Sequence, residues 1–222
     1  MRKVITTNLH CAVCRKELVE GEDGICVYCY MSMPRTHAAE PQNALWSRLC
    51  GQVSFEHATA LFYYQRNSPF SRAVASAKYD DRPWCNEVLT DLLVKELDGS
   101  GWPFDIDVIV PVPLHLLRLI GRGYNQVQPI ANTLGKRWHL PVVRNVLIKK
   151  KYVRSQVGRG QNERTEAERG AFATLFGSRL KGKHVLLVDD VCTTGSTLVS
   201  CADELLKIPG TRVSVLTLAV TI

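Results

Sequence analysis

No apolar stretch in this sequence reaches the roughly 18 residues that a membrane-spanning helix needs. The most apolar region, 106–120, is broken by Asp107, Pro111, Pro113, His115 and Arg118. Arg2 and Lys3 are followed by no apolar core, so no secretory leader is expected and the chain reads as cytoplasmic. A Walker A loop is missing as well. Its nearest match, Gly177 to Lys183, is followed by His184 where Ser or Thr is required, and it leads into an apolar run, whereas a P-loop leads out of a strand into a helix. That absence removes the ordinary NTPase reading of any acidic pair found elsewhere in the chain.

What is present suits one full-sized domain with a small appendage. The chain has 222 residues, 45% of them apolar, enough to close a core. We expect an appendage and connector over 1–50 and the main domain over 51–222. A formal charge of +7 and a pI near 9.0 accommodate phosphorylated ligands or nucleic acid and select neither. Cys11, Cys14, Cys26 and Cys29 form two Cys-x-x-Cys pairs close to the N-terminus, while Cys50, Cys85, Cys192 and Cys201 stand singly. Two such pairs in a reducing compartment point to a metal and not to disulfides. Four thiolates from two tight turns supply the tetrahedral set that a closed, structural zinc site needs. An iron centre or a metal-free redox pair are the alternatives.

The most informative stretch runs from Val185 to Thr197. Val185 to Val188 is a short branched apolar run, as expected of a parallel strand buried on both faces. Asp189 and Asp190 follow at its carboxyl end and point to opposite sides of the pleat. Val191 and Cys192 then lead into Thr193, Thr194, Gly195, Ser196 and Thr197, which turn the chain into a helix over about 197–206. A small-residue loop at a helix amino end presents N–H groups and hydroxyls to a phosphate. An N-capped helix after a core strand would explain the Thr and Ser, but not two adjacent carboxylates.

Upstream, a strand is expected over 53–64 and helices over 69–78 and 83–97. The latter has Val88, Leu89, Leu92, Leu93 and Leu97 on one face. A second buried strand over 104–110 ends in Pro111-Val112-Pro113-Leu114, where proline ends the ladder. That segment is either a ligand loop on the same sheet edge as Asp189 or a rigid turn. Arg122-Gly-Tyr-Asn-Gln126 opens a helix, and an arginine at the mouth of a site matches phosphate oxygens. The polar, basic segment 149–170, with Arg154, Gln156 and Arg164, reads as a lid or as a solvated linker. A closing strand is expected over 212–220, beside the 185–188 strand.

The acid pair with its Thr/Gly/Ser loop resembles the phosphoribosyl pyrophosphate (PRPP) signature of the type I phosphoribosyltransferases. With the two cysteine knuckles, Pro-Val-Pro-Leu and Arg-Gly-Tyr-Asn-Gln in that order, nearly the whole chain is similar to the ComF family of competence-associated, phosphoribosyltransferase-like proteins. The resemblance implies an α/β fold: a parallel-sheet, Rossmann-like type I phosphoribosyltransferase domain with an N-terminal four-cysteine zinc module. It also implies PRPP with Mg²⁺ as ligand. Asp189 and Asp190 would hold the ribose, Thr193 to Thr197 the 5′-phosphate, and the loop carrying Pro113 and Leu114 the pyrophosphate; Val191, Cys192 and Gln126 would also line the PRPP site, and Arg122 at its mouth would be catalytic together with the two acids. A flexible loop bearing Arg154, Gln156 and Arg164 would close over PRPP. The implied role is in DNA uptake or utilisation, by pentosyl transfer to an acceptor the residues do not name. Alternatively the pocket serves a non-enzymatic single-stranded DNA-binding protein near the import machinery, or a PRPP-responsive regulator.

Overall fold

A computed structural model describes residues 9–79, 82–102, 105–114, 119–120, 123–150 and 170–221. In chain order the elements are α1 (Val27–Met31), α2 (Ala44–Leu49), β1 (Ala58–Tyr64), α3 (Pro69–Tyr79), α4 (Pro83–Leu97), β2 (Val108–Pro111) and α5 (Gln128–Trp138). They continue with β3 (Leu147–Lys149), β4 (Phe172–Thr174), a 3-10 turn (Gly177–Leu180), β5 (His184–Cys192), α6 (Ser196–Leu206) and β6 (Arg212–Thr221). Strands β1, β6, β5 and β2 lie side by side in that order, every neighbouring pair parallel.

The sheet is covered on both faces, which is why its central strands are almost continuously apolar. Side chains alternate between two cores. Leu186, Val188, Leu216 and Leu218 face α3, α4 and α5. Val185, Leu187, Val213 and Val215 face α2, α6 and the β3–β4 hairpin. Strand β1 starts at Ala58, later than the sequence suggests, because 51–57 stays wholly or partly at the surface. Strand β5 runs beyond the expected Val188 to Cys192: β6 is long enough to pair with it as far as Cys192↔Val220. The segment 149–170, read from sequence as one polar loop, is anchored in an antiparallel hairpin. Lys149 pairs with Phe172, and Lys150 N–H donates to Ala171 O at 2.7 Å.

The N-terminal arm covers the β1 edge, which would otherwise present unpaired backbone groups. Tyr63 N–H donates to Pro34 O at 2.8 Å and Thr36 N–H to Leu61 O at 3.2 Å, closing an antiparallel bridge between Arg35 and Phe62. Cys11, Val13, Ile25 and Cys26 share one core with Val88 and Leu89 of α4. The fit is tight at Gly24. It has φ +69°, and a Cβ there would lie 2.8 Å from Val88 Cγ2. Gly24→Ala therefore combines a left-handed backbone with an overlap, and we expect a loss of about 1–3 kcal/mol in chemical denaturation. Val88→Ala should relieve the overlap but not the backbone strain, so a double variant with full wild-type stability would contradict this packing.

Candidate functional site

Strand β2 is the shorter neighbour of β5. Its last pair is Pro111↔Val188, and after Val112 N–H donates to Val188 O at 2.8 Å the chain turns away. Pro111 and Pro113 carry no N–H to continue the ladder. The next residues of β5, Asp189 and Asp190, thus keep β6 on one side and lose β2 on the other. This puts Asp189 at an open edge at the carboxyl ends of the strands, where parallel α/β sheets bind ligands, with Asp190 buried behind it.

The two acids are not equivalent. Asp189 is half-buried and lines a small concavity with Val191 and residues 192–198. Asp190 is buried on the opposite side of the pleat and is not part of that lining. Each fixes the backbone beyond it: Asp189 Oδ1 accepts from Asp190 N–H at 2.9 Å and Asp190 Oδ1 from Val191 N–H at 2.8 Å. Across the concavity Gly195 takes φ +83° and caps α6. Thr194 Oγ1 lies 2.9 Å from Ser196 Oγ. Burial, and then the Asp189 carboxylate, push the Cys192 thiol up to about 12 against the opposing charge of Arg48. Cys192 is thus a neutral wall of the loop and not a nucleophile.

The structure also joins the other expected segments. Asn125 Nδ2 donates to Val112 O at 2.9 Å, tying the Arg-Gly-Tyr-Asn-Gln segment to the loop carrying Pro113 and Leu114. Gln126 is buried, and Asn86 Nδ2 of α4 donates to its carbonyl at 3.3 Å. The segment 122–126 is expected to open the following helix. In the structure α5 begins only at Gln128, after Asn125 Oδ1 has accepted from Val127 N–H at 3.1 Å. Arg122, Arg154, Gln156 and Arg164 lie outside the described residues.

The four N-terminal thiols form a second site. The Sγ atoms of Cys11, Cys14, Cys26 and Cys29 all lie within 4.8 Å of one another, Cys14 and Cys26 being 3.7 Å apart. Tetrahedral zinc at its usual sulfur distance places ligands roughly 3.8 Å apart, so the set fits a metal ion. Backbone N–H groups already point at the sulfurs: Val13 N–H and Cys26 N–H each reach Cys11 Sγ at 3.4 Å. Burial raises the Cys11 thiol, but these N–H groups together with that of Cys14 outweigh it and bring it down to about 7. Cys29 is driven upward, first by burial and then by its sulfur neighbours. His10 and His37 are exposed, and Cys50 stands outside the cluster.

One constellation was not visible in the sequence. At the amino-terminal edge of the sheet, His184 Nδ1 is 2.8 Å from Asp105 Oδ1 and its Nε2 is 2.8 Å from Ser214 Oγ. Its residues come from a loop and two strands, so no spacing announces it. It copies the Asp-His-Ser order of a hydrolytic triad, yet Ser214 is 0% exposed and its Oγ accepts from His57 N–H at 3.1 Å. No substrate reaches that hydroxyl, and the chain serves to hold the amino ends of β5 and β6.

No helix among the described residues is long and apolar enough to cross a membrane. The sequence profile of the phosphoribosyl transferase domain family matches residues 92–221. Competence protein F of Haemophilus influenzae is 26% identical over an alignment covering 90% of this chain and 92% of its own. The DNA utilization protein YhgH of Salmonella typhi is 29% identical, with 89% and 90% covered. Competence protein ComFC of Bacillus subtilis is 26% identical, with 89% and 78% covered. The chain belongs to the phosphoribosyl transferase domain family and, within it, to the ComF family.

Proposed function

We propose that this protein binds PRPP with Mg²⁺ at the carboxyl edge of β5 and transfers its phosphoribosyl group in DNA uptake or utilisation. The observation that carries this reading is the end of β2 opposite Val188, which leaves Asp189 and the 193–197 loop facing an open edge. Asp189 and Asp190 hold the ribose hydroxyls. N–H groups and hydroxyls of 193–197 hold the 5′-phosphate with the amino end of α6. Pro113, Leu114 and Gln126 take the pyrophosphate, with Arg122 at the mouth. Arg154, Gln156 and Arg164 belong to the loop that closes over the ligand. The four N-terminal cysteines hold a structural zinc ion.

Transfer of this kind leaves positive charge on the sugar as pyrophosphate departs, and needs no protein nucleophile. It needs oriented hydroxyls, fixed donors around the phosphates and exclusion of water. Mg²⁺, when bound with PRPP, supplies positive charge to the leaving pyrophosphate. The relatives named for competence and DNA utilization support the biological setting. The direct test is pyrophosphate release from PRPP·Mg²⁺, screened against free bases and single-stranded DNA. We expect release that one of the bases stimulates. DNA binding competed by PRPP, with no release, would select the non-enzymatic reading instead.

That second reading, a protein that grips single-stranded DNA, is favoured by one further feature. A cleft of about 350 Å³ separates the first knuckle from α3 and is lined by Arg15 and Arg72, with no carboxylate in its wall among the described residues. Cationic grooves hold nucleic-acid backbones by releasing counterions. Affinity for a single-stranded oligonucleotide should fall as salt rises, by about 0.7 log units per log unit of salt for each phosphate contact. Replacing Arg15 and Arg72 by alanine should flatten that slope by about 1.4. A salt-independent affinity would count against the reading.

A further inference from the structure

We infer that Arg48, in the N-terminal arm, is a positioning residue for the 5′-phosphate loop and acts through Thr221. This rests on the proposal that 193–197 holds that phosphate. Helix α2 is fixed first. Asn43 Oδ1 accepts from Leu45 N–H at 3.0 Å and from Trp46 N–H at 3.2 Å, while Asn43 Nδ2 donates to Ala58 O at 2.6 Å. The cap therefore locks α2 to β1. From its last turn, Arg48 Nη2 donates to Thr221 O at 2.6 Å, and Thr221 Oγ1 donates to Thr193 O at 2.9 Å. The neighbouring Leu49 closes the same loop from below. Its Cδ2 would lie 2.6 Å from a Cβ on Gly195, a residue already at φ +83°.

The consequence follows from peptide geometry. In a trans peptide the C=O and the N–H point in opposite directions. Turning Thr193 O toward Thr221 turns the N–H of the same peptide, on Thr194, the other way. A loop that binds an anion through N–H groups loses affinity when those peptides are free to rotate, because binding must then order them. Among the described residues the walls of the concavity carry no Lys or Arg, so the guanidinium behind Thr221 adds a positive charge to a loop that has none of its own. Part of the 5′-phosphate site is thus built by a segment that precedes the parallel sheet in sequence.

Titration calorimetry on the full chain with its metal separates this role from mere stability, with ribose 5-phosphate, pyrophosphate·Mg²⁺ and PRPP·Mg²⁺ as ligands. Arg48→Ala should weaken ribose 5-phosphate and PRPP about tenfold and leave pyrophosphate unchanged, since pyrophosphate does not use the loop. Thr221→Val, which keeps the shape and removes the hydroxyl, should act in the same direction, and Arg48→Lys should restore part of the loss. Arg35→Ala breaks the 2.5 Å pair with Glu96 elsewhere in the arm and should leave all three affinities unchanged. Wild-type affinity for ribose 5-phosphate in Arg48→Ala would overturn the inference. So would an equal loss for pyrophosphate, or the same loss in Arg35→Ala. A wild-type chain that binds neither ribose 5-phosphate nor PRPP would instead reject the phosphate-loop reading itself, and this inference with it.

Discussion

Replacing Asp189 and Asp190 together by alanine should weaken PRPP·Mg²⁺ binding in titration calorimetry by at least about a hundredfold. A charge-assisted hydrogen bond contributes about 1.5–3 kcal/mol, so losing two costs about 3–6 kcal/mol, or roughly 10²–10⁴ in affinity. The single variants should differ. Asp189 is half-buried at the rim of the loop, so Asp189→Ala removes ligand binding with little change in melting temperature. Asp190 is buried and fixes Val191 N–H, so Asp190→Ala lowers stability as well. Asp190→Asn keeps the volume and isolates the charge. Unchanged PRPP affinity in the folded double variant would remove the ribose assignment.

Much of this architecture could be read from the chain because its determinants are local. The branched run at Val185 marks a two-sided strand, Gly195 marks the turn into α6, and paired Cys-x-x-Cys turns mark a four-thiol cluster that fits a metal. Helix α4 shows its core face by spacing alone, and the structure buries Val88, Leu89, Leu92, Leu93 and Leu97. What escaped is set by partners distant in sequence. Strand β5 extends through the acids only because β6 is long enough to pair with it. Strands β3 and β4 are too short to show a period and are separated by 150–171. Helix α2 reads as part of an unremarkable connector, since nothing near Arg48 reveals that its hydrogen-bond partner is Thr221. The Asp105, His184 and Ser214 chain is invisible for the same reason.

Removing the metal should destabilise the sheet domain as well as the knuckles. A separate appendage would melt independently, leaving the main transition where it was. Here Cys11, Ile25 and Cys26 are buried in one core with Val88 and Leu89, which in turn packs under the central sheet. The arm beyond the knuckles also covers the edge of β1 through Pro34 and Thr36. Structural zinc sites contribute apparent binding energies of about 10–16 kcal/mol near neutral pH, comparable to or larger than the whole stability of a typical domain, about 5–15 kcal/mol. A strong chelator, or Cys11→Ser with Cys26→Ser, should therefore lower the single melting transition by at least about 10 °C. Metal analysis should find one zinc per chain before treatment and none after. The coupling also predicts loss of ribose 5-phosphate affinity on chelation below the new midpoint, since α2 and Arg48 follow directly from that arm. A main transition that stays in place while zinc is lost would show the two parts to be energetically separate.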